Sequence, residues 1–135
     1  MTVPIETSAR EIAAITRHPE TGAFQEAAAG GRLVVPQCNA CGSSHWYPRP
    51  FCPHCFADAV EWKEASGRGT VYSYTVMRRA KPVYVIAYVR LAEGATLMTN
   101  IVDCPPGDVR IGMEVEVVFH EAPGGVLVPM FRAAR

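Results

Sequence analysis

The chain has 135 residues, 49% of them hydrophobic, and its 13 basic and 13 acidic side chains cancel to a formal net charge of zero. This length suits one compact unit, or a small module joined to a small domain. A neutral balance argues against a general polyanion binder, and no apolar run approaches the ~20 residues of a membrane span. Because no leader pattern opens the chain and its cysteines fit a reducing compartment, we expect a cytoplasmic protein.

Two short helices are predicted near the amino terminus. Ser8 and Glu11 form a capping box ahead of the first helix, over residues 10–18. The second helix covers residues 22–29 and ends at a pair of glycines. Neither is long enough to be stable alone, so this arm packs either on the chain's own core or on a partner subunit.

Four of the five cysteines form two C-x2-C pairs separated by ten residues. Two such turns place four thiolates at the corners of a tetrahedron, the geometry that Zn²⁺ prefers. All four positions are cysteine, so no coordination site stays open and the predicted metal is structural. Iron in a rubredoxin-like site is the alternative, and two disulfides are disfavoured by the expected compartment. The predicted metal ligands are Cys38, Cys41, Cys52 and Cys55.

Aromatic side chains cluster between the two cysteine pairs. Trp46, Tyr47 and Phe51 lie beside prolines, and we expect them to cover the metal site and its junction with the next domain. A ligand-stacking platform is the alternative. His45, between the pairs, and His54, inside the second pair, are predicted to lie in solvent-facing loops, with a hydrogen-bond donor near the site as the alternative for His45.

Residues 66–135 change to a β pattern. Strands are predicted over residues 69–78, 83–91, 96–103, 113–120 and 126–132, separated by turn residues. Five short strands in about 70 residues favour a closed antiparallel barrel of the OB-fold type. Pro129 predicts that the last strand lies at an edge or carries a bulge. We therefore expect a mainly β chain with three parts, namely a helical arm (1–31), a zinc ribbon (32–65) and a five-stranded OB-fold barrel (66–135).

Within this barrel, two strands show alternation. Val71, Ser73, Thr75 and Met77 are predicted to share one face of the first strand. In the fourth strand, the apolar alternate residues are predicted to face one way and Glu114 and Glu116 the other; the apolar residues are Met113, Val115, Val117 and Phe119.

The order of these pieces resembles the DUF35 family, which combines a rubredoxin-like zinc ribbon with an OB-fold. The resemblance extends from about residue 20 to residue 132. The matching pieces are Phe24, Gly31-Arg32-Leu33, Gln37-Cys38, Cys41-Gly42, Tyr47-Pro48-Arg49, Cys52-Pro53, Trp62, Ser66-Gly67-Arg68-Gly69-Thr70-Val71-Tyr72-Ser73, Ile111-Gly112-Met113, Pro129 and Phe131.

This resemblance implies a non-catalytic accessory subunit in a hetero-oligomer that processes acyl-CoA. The larger partner is then a thiolase, a thiolase-like aldolase or acyltransferase, a hydroxymethylglutaryl-CoA synthase or a MaoC-like hydratase. That partner carries the nucleophile or base, while the small subunit scaffolds the complex and lines an acyl-CoA passage. Coenzyme A is then a ligand shared with the partner.

The residues themselves predict no catalytic site. The histidines have no evident partners, and His120 is expected to be exposed. Cys104 is expected to serve as a small hydrophobic side chain at a strand end.

A basic connection joins the first two barrel strands. It is either a solvated loop or a contact to the phosphates of coenzyme A. The residues of this connection are Arg78, Arg79 and Lys81.

Two other functions remain open. A module that binds single-stranded nucleic acid would use the barrel tyrosines as stacking faces, although the neutral charge disfavours it. A rubredoxin-like electron carrier would require iron in place of zinc. The tyrosines are Tyr72, Tyr74, Tyr84 and Tyr88.

Overall fold

A computed structural model of the protein describes residues 12, 13, 15 and 18–135. The capping box and most of the first predicted helix lie outside the described residues. The second helix is confirmed as α1, Gly22–Ala29, which follows a 3₁₀ turn at Pro19–Thr21. Within the described part of the chain, no helix has the length and apolar character needed to cross a membrane.

Helix α1 ends where the sequence predicts. The Gly30 N–H donates to the Ala27 carbonyl at 3.0 Å, and Gly31 follows with a φ of +76°. A residue in this left-handed region stops the helix, and glycine occupies it without steric cost. The helix buries Ala27 and Ala28 and so presents its small side chains to the rest of the molecule.

A two-stranded antiparallel hairpin follows the helix. It consists of β1, Val34–Cys38, and β2, Val60–Glu64, with Val34 opposite Glu64. The two cysteine pairs lie in the long connection between these strands. Strand β1 therefore delivers its last residue, Cys38, directly into the first turn of that connection.

Five further strands form a closed barrel, which confirms the predicted OB-type architecture. Their order around the barrel is β3-β4-β5-β7-β6, with β3 and β6 closing the sheet. All neighbours are antiparallel except β5 and β7, which meet in parallel at Ile101 and Phe131. The strands are β3, Arg68–Met77; β4, Tyr84–Leu91; β5, Thr96–Ile101; β6, Glu114–Ala122; and β7, Val126–Ala133.

Strand β3 departs from the predicted alternation. A bulge between Val71 and Ser73 shifts its register against β4 by one residue. Val71 is fully buried, and Val76, five residues later, also packs against the core. The prediction that Val71, Ser73 and Thr75 share one face is therefore wrong, because the extra residue of a bulge exchanges the two faces of a strand.

The fourth barrel strand matches its sequence pattern. Val115 is buried in the core, and the other apolar alternate residues of its segment pack against that core. The prediction that the last strand lies at an edge or carries a bulge is wrong, because β7 lies between β5 and β6 in the closed barrel and its register against β6 is continuous. Pro129 is tolerated there because β7 pairs with β5 only at Phe131, so the proline lacks a partner on that side that would need its N–H.

The barrel and the ribbon share one hydrophobic core. Leu33 and Val35 of the ribbon segment belong to the same buried cluster as the inward residues of the barrel. A polar contact adds to this junction, because the Ser44 hydroxyl donates to the Glu93 carbonyl at 2.7 Å. The Glu93 carboxylate in turn accepts from the Ser66 N–H at 2.9 Å. The turn between β4 and β5 is thus bonded to the ribbon at Ser44 and to the segment between β2 and β3 at Ser66.

A substitution at Gly69 tests the close packing of β3 against β4. A Cβ at this position would lie 2.6 Å from the Arg90 carbonyl oxygen and 2.8 Å from Val89 Cγ1. We expect Gly69→Ala to lower the free energy of unfolding by about 1–3 kcal/mol, the cost of overpacking. Gly30→Ala is the matched control, since the nearest atom to its Cβ would be Ala27 O at 3.5 Å, an ordinary van der Waals contact. Equal denaturation curves for the two variants would contradict this account of the β3–β4 contact.

Candidate metal centre

The two cysteine pairs form two turns of the same construction. The Gly42 N–H donates to the Cys38 carbonyl at 2.8 Å, and the Phe56 N–H donates to the Cys52 carbonyl at 2.8 Å. The residue after the second cysteine of each turn has a positive φ, +78° at Gly42 and +64° at Phe56. Each turn therefore brings its two sulfur atoms to the same side of the backbone.

Backbone hydrogen bonds fix both turns. The Cys38 N–H donates to the Ser43 carbonyl at 2.9 Å, and the Cys52 N–H donates to the Ala57 carbonyl at 2.8 Å. The Asn39 N–H also donates to the Ala59 carbonyl at 2.8 Å, which links the first turn to the chain that leaves the second. These bonds bring the four cysteines together.

The four sulfur atoms lie within 4.8 Å of one another. The Cys38 and Cys55 sulfurs are 3.6 Å apart, and those of Cys41 and Cys52 are 3.7 Å apart. Tetrahedral Zn²⁺ with Zn–S bonds of ~2.3 Å requires sulfur separations of about 3.8 Å. The donor set therefore fits zinc in number, chemistry and spacing, and the backbone N–H of His54 lies 3.3 Å from the Cys52 sulfur as an additional support.

The thiols differ in how readily they lose a proton. A hydrogen bond from the Ser43 backbone lowers the pKa of Cys41 to about 6. At Cys55 the Ala57 backbone acts to lower the pKa, but desolvation and hydrogen bonds with the other thiols raise it to about 12. A metal binds the thiolate and displaces these protons, so the metal affinity of the cluster falls as the pH falls.

The fifth cysteine lies apart from this cluster. Cys104 is buried in the hydrophobic core, as predicted for a small hydrophobe. Burial, with a smaller contribution from Asp108, raises the pKa of its thiol. It is therefore held in the protonated state, which is a poor nucleophile.

Trp46 occupies the predicted junction between the ribbon and the barrel. Its ring centroid lies 4.7 Å from that of Phe24 in α1 and 6.5 Å from that of Trp62 in β2, and it packs against the barrel core. Tyr47 and Phe51, expected to cover the same junction, are instead exposed. The aromatic segment therefore divides into one partly buried anchor and two solvent-facing rings.

The histidines depart in part from their predicted positions. His54 is exposed as expected, but His45 is 4% exposed, so the prediction of a solvent-facing loop is wrong for it. Its ring nitrogens have no hydrogen-bond partner among the described residues. Burial lowers the pKa of His45, and the nearby His54 and Arg49 lower it further. His120, expected to be exposed, is half-buried, with Nε2 3.9 Å from a carboxylate oxygen of Asp103.

The basic connection lies in the turn between β3 and β4, at one end of the barrel. All three of its cationic side chains are exposed. None of Arg78, Arg79 and Lys81 forms an ion pair with a residue of the described part of the chain. The structure thus leaves these charges available on a different element from the cysteine cluster.

Comparison with known proteins adds family relationships to this geometry. A family model described as the rubredoxin-like zinc ribbon domain of ChsH2 matches residues 25–61, and one described as the C-terminal OB-fold domain of ChsH2 matches residues 62–120. A DUF35 domain-containing scaffold protein of Methanocaldococcus jannaschii is 42% identical over 96 residues, which cover 65% of this chain and 67% of the relative. The chain belongs to the DUF35 family. The resemblance predicted from the sequence is thereby confirmed, and the chain carries the four-cysteine zinc ribbon of that family.

Two further relatives connect this DUF35 chain with enzymes. A probable enoyl-CoA hydratase alpha subunit of Thermomonospora curvata is 40% identical over 114 residues, which cover 81% of this chain. The chain spans only 36% of that relative's length. A solved structure named Ltp2-ChsH2(DUF35) aldolase superposes with a TM-score of 0.79 at 36% identity, covering 90% of this chain and all of the matched one. A DUF35 structure from Sulfolobus solfataricus, 19% identical with a TM-score of 0.64, supports the fold alone.

A ligand substitution tests the metal centre. We expect Cys52→Ser to weaken Zn²⁺ binding by more than the roughly 100-fold caused by loss of a residue that supports a ligand, because a direct donor is removed. Cys104→Ala is the control and should keep one zinc per chain. Zinc content measured by elemental analysis after dialysis distinguishes them. Full zinc retention by Cys52→Ser would contradict the assigned donor set.

Proposed function

We propose that this DUF35 protein is a non-catalytic accessory subunit that scaffolds a larger acyl-CoA-processing subunit. The observation that carries the proposal is the match along the full length of the DUF35 chain in the structure named Ltp2-ChsH2(DUF35) aldolase. The similarity to a probable enoyl-CoA hydratase alpha subunit supports the same class of partner. The partner is then a thiolase, a thiolase-like aldolase or acyltransferase, a hydroxymethylglutaryl-CoA synthase or a MaoC-like hydratase.

The chemistry of the described residues supports a scaffold more than an enzyme. The one thiol outside the cluster, Cys104, is buried with a raised pKa, and the buried His45 has no hydrogen-bond partner among the described residues. An activated nucleophile needs a base within hydrogen-bond reach. The reacting groups of the complex therefore belong to the larger subunit in this proposal.

We assign one structural Zn²⁺ per chain to Cys38, Cys41, Cys52 and Cys55. When bound, the metal would cross-link the two turns and hold the ribbon in its folded form, as structural zinc sites do. With four thiolates around it, the ion has no position for substrate. An iron-loaded site of the rubredoxin type is the competing assignment, and it is distinguished by its visible absorption.

Arg78, Arg79 and Lys81 are our candidates for contacts to the phosphates of acyl-CoA. They are exposed, unpaired within the described chain and adjacent in one turn at the end of the barrel. Charge-assisted hydrogen bonds from arginine and lysine are the usual means of holding phosphate groups. The ligand would then lie between this end of the barrel and the larger subunit, where the small subunit lines its passage.

Binding of single-stranded nucleic acid is the second candidate. Tyr72, Tyr74 and Tyr88 expose their rings, and the Arg90 guanidinium lies 4.8 Å from the Tyr72 ring centroid. Stacking platforms of this kind bind bases in other OB-folds. The formal net charge of zero weighs against it, since such proteins rely on an excess of positive charge.

A tagged pull-down at moderate salt tests the accessory function. The full chain should retain a larger thiolase-like, synthase-like or hydratase-like subunit in stoichiometric amount, together with one zinc per chain and no visible absorption. Mass spectrometry and elemental analysis of the same sample provide the measurement. A chain that is isolated alone, or with nucleic acid, would contradict the proposal, and acyl-CoA turnover by the isolated chain would do so as well.

The basic connection has a separate test. Replacing its three cations by glutamine should raise the KM of the assembled complex for acyl-CoA by about tenfold or more, because charged hydrogen bonds are each worth about 1.5–3 kcal/mol. Lys63→Gln, which removes an exposed cation of the ribbon, is the control. If the effect is as large with a substrate that lacks the 3′-phosphate of coenzyme A, that phosphate is not the group contacted. An unchanged KM would refute the assignment.

A further inference from the structure

The second cysteine turn carries a bulky aromatic residue in a conformation that disfavours it. Phe56 has a φ of +64°, and its side chain is 75% exposed. The equivalent position of the first turn is Gly42, with a φ of +78°. Side chains of L-residues clash with the backbone in this region, so glycine is the usual solution. The two turns are built alike, and they differ in that only the second displays an aromatic ring.

Packing within the chain does not explain why position 56 carries a phenylalanine. A ring that is three-quarters exposed gains little from burial, whereas an aromatic side chain normally stabilises a fold by removing a large apolar area from water. A conformational outlier held in place by its surroundings is a reason to look for function at that residue. Here the surroundings are the hydrogen bond of Phe56 to the Cys52 carbonyl and the cysteine cluster itself.

A second exposed ring lies at the other end of the same turn. Phe51 immediately precedes Cys52 and is 45% exposed. The hydrogen bond from the Cys52 N–H to the Ala57 carbonyl brings the two ends of the turn together. We call Phe51 and Phe56 the aromatic knuckle. Because the turn is closed by hydrogen bonds and by the cysteine cluster, its rings would lose little freedom on binding, which is the property of an efficient interface anchor.

The charge around the aromatic knuckle selects the kind of partner. From Cys38 to Asp58, the formally charged side chains are one cation, Arg49, and one anion, Asp58. A phosphate backbone or an anionic bilayer requires several cations at the contact. With zinc bound by four thiolates, the cluster adds a net negative charge, which further disfavours a phosphate backbone or an anionic bilayer. Projecting rings without neighbouring cations instead suit an apolar pocket of another protein, the setting in which aromatic residues dominate binding energy.

We propose that Phe56 is a docking anchor, inserted with Phe51 beside it into an apolar pocket of the larger acyl-CoA-processing subunit. This inference rests on the proposed accessory function and identifies the surface that performs it. The cysteine cluster then has a second role, since it holds the anchor in its left-handed conformation before the partner arrives. Loss of the metal would release the anchor and weaken docking without any change to the barrel.

Substitutions at Phe56 separate docking from stability. Phe56→Gly removes the ring and adopts the same φ freely, so the melting temperature of the zinc-loaded chain should stay unchanged or rise by a few degrees. The Kd for the purified large subunit, identified by the pull-down above, should increase about 30-fold, which corresponds to about 2 kcal/mol. Phe56→Tyr, which keeps the ring, should bind nearly as the wild type does. Met98→Ala is the control, because Met98 is a comparably exposed apolar side chain on the barrel wall.

The outcomes distinguish this inference from the function on which it rests. A wild-type chain that binds no acyl-CoA-processing subunit refutes the proposed function and therefore also the docking role of Phe56. Wild-type binding that Phe56→Gly leaves unchanged overturns the anchor alone, and a loss confined to Met98→Ala moves the docking surface to the barrel wall. Self-association in ultracentrifugation that disappears in Phe56→Gly would also overturn the proposal, by making a second copy of this chain the occupant.

Discussion

The packing of Trp46 joins the three parts of this chain into one structure. Its indole contacts Phe24 of α1 and Trp62 of β2 and lies against the barrel core. A ribbon of two short strands has too little apolar surface to be stable alone. By sharing the barrel core through Trp46, the ribbon acquires a hydrophobic support on one side, while the cysteine cluster constrains the other. The ribbon is thus stabilised by the barrel core and by the cysteine cluster together.

This arrangement presents exposed side chains on a fixed framework. The cysteine cluster determines the shape of both turns, and the second turn projects Phe56 into solvent. The barrel presents its exposed tyrosines on the wall and a group of cations in the turn between β3 and β4. A scaffold subunit needs such fixed, separately placed contact surfaces, because rigid anchors bind with a smaller loss of conformational entropy.

Local signals in the sequence predicted most of the fold. The cysteine spacing predicted the metal centre because each pair fits one turn, and the glycine pair at 30–31 predicted the end of α1 because Gly31 tolerates the left-handed conformation required there. The bulge of β3 was not predictable, since Ser73 and Thr75 are compatible with either face of a strand. The burial of His45 was also missed, because no local pattern distinguishes a buried loop histidine from an exposed one. The sequence alone did not predict the left-handed conformation of Phe56. Its equivalence to Gly42 in the first turn is apparent only from the structure.

Native mass spectrometry of the complex, before and after zinc chelation, tests the central claim most directly. The account predicts a species that contains the larger acyl-CoA-processing subunit and this 14.7 kDa chain, with one zinc ion per small chain. Removal of the zinc should release the larger subunit, because the ribbon that presents the docking surface loses its structure. A complex that persists unchanged without zinc, or a zinc-loaded chain that never associates with such a subunit, would contradict the account.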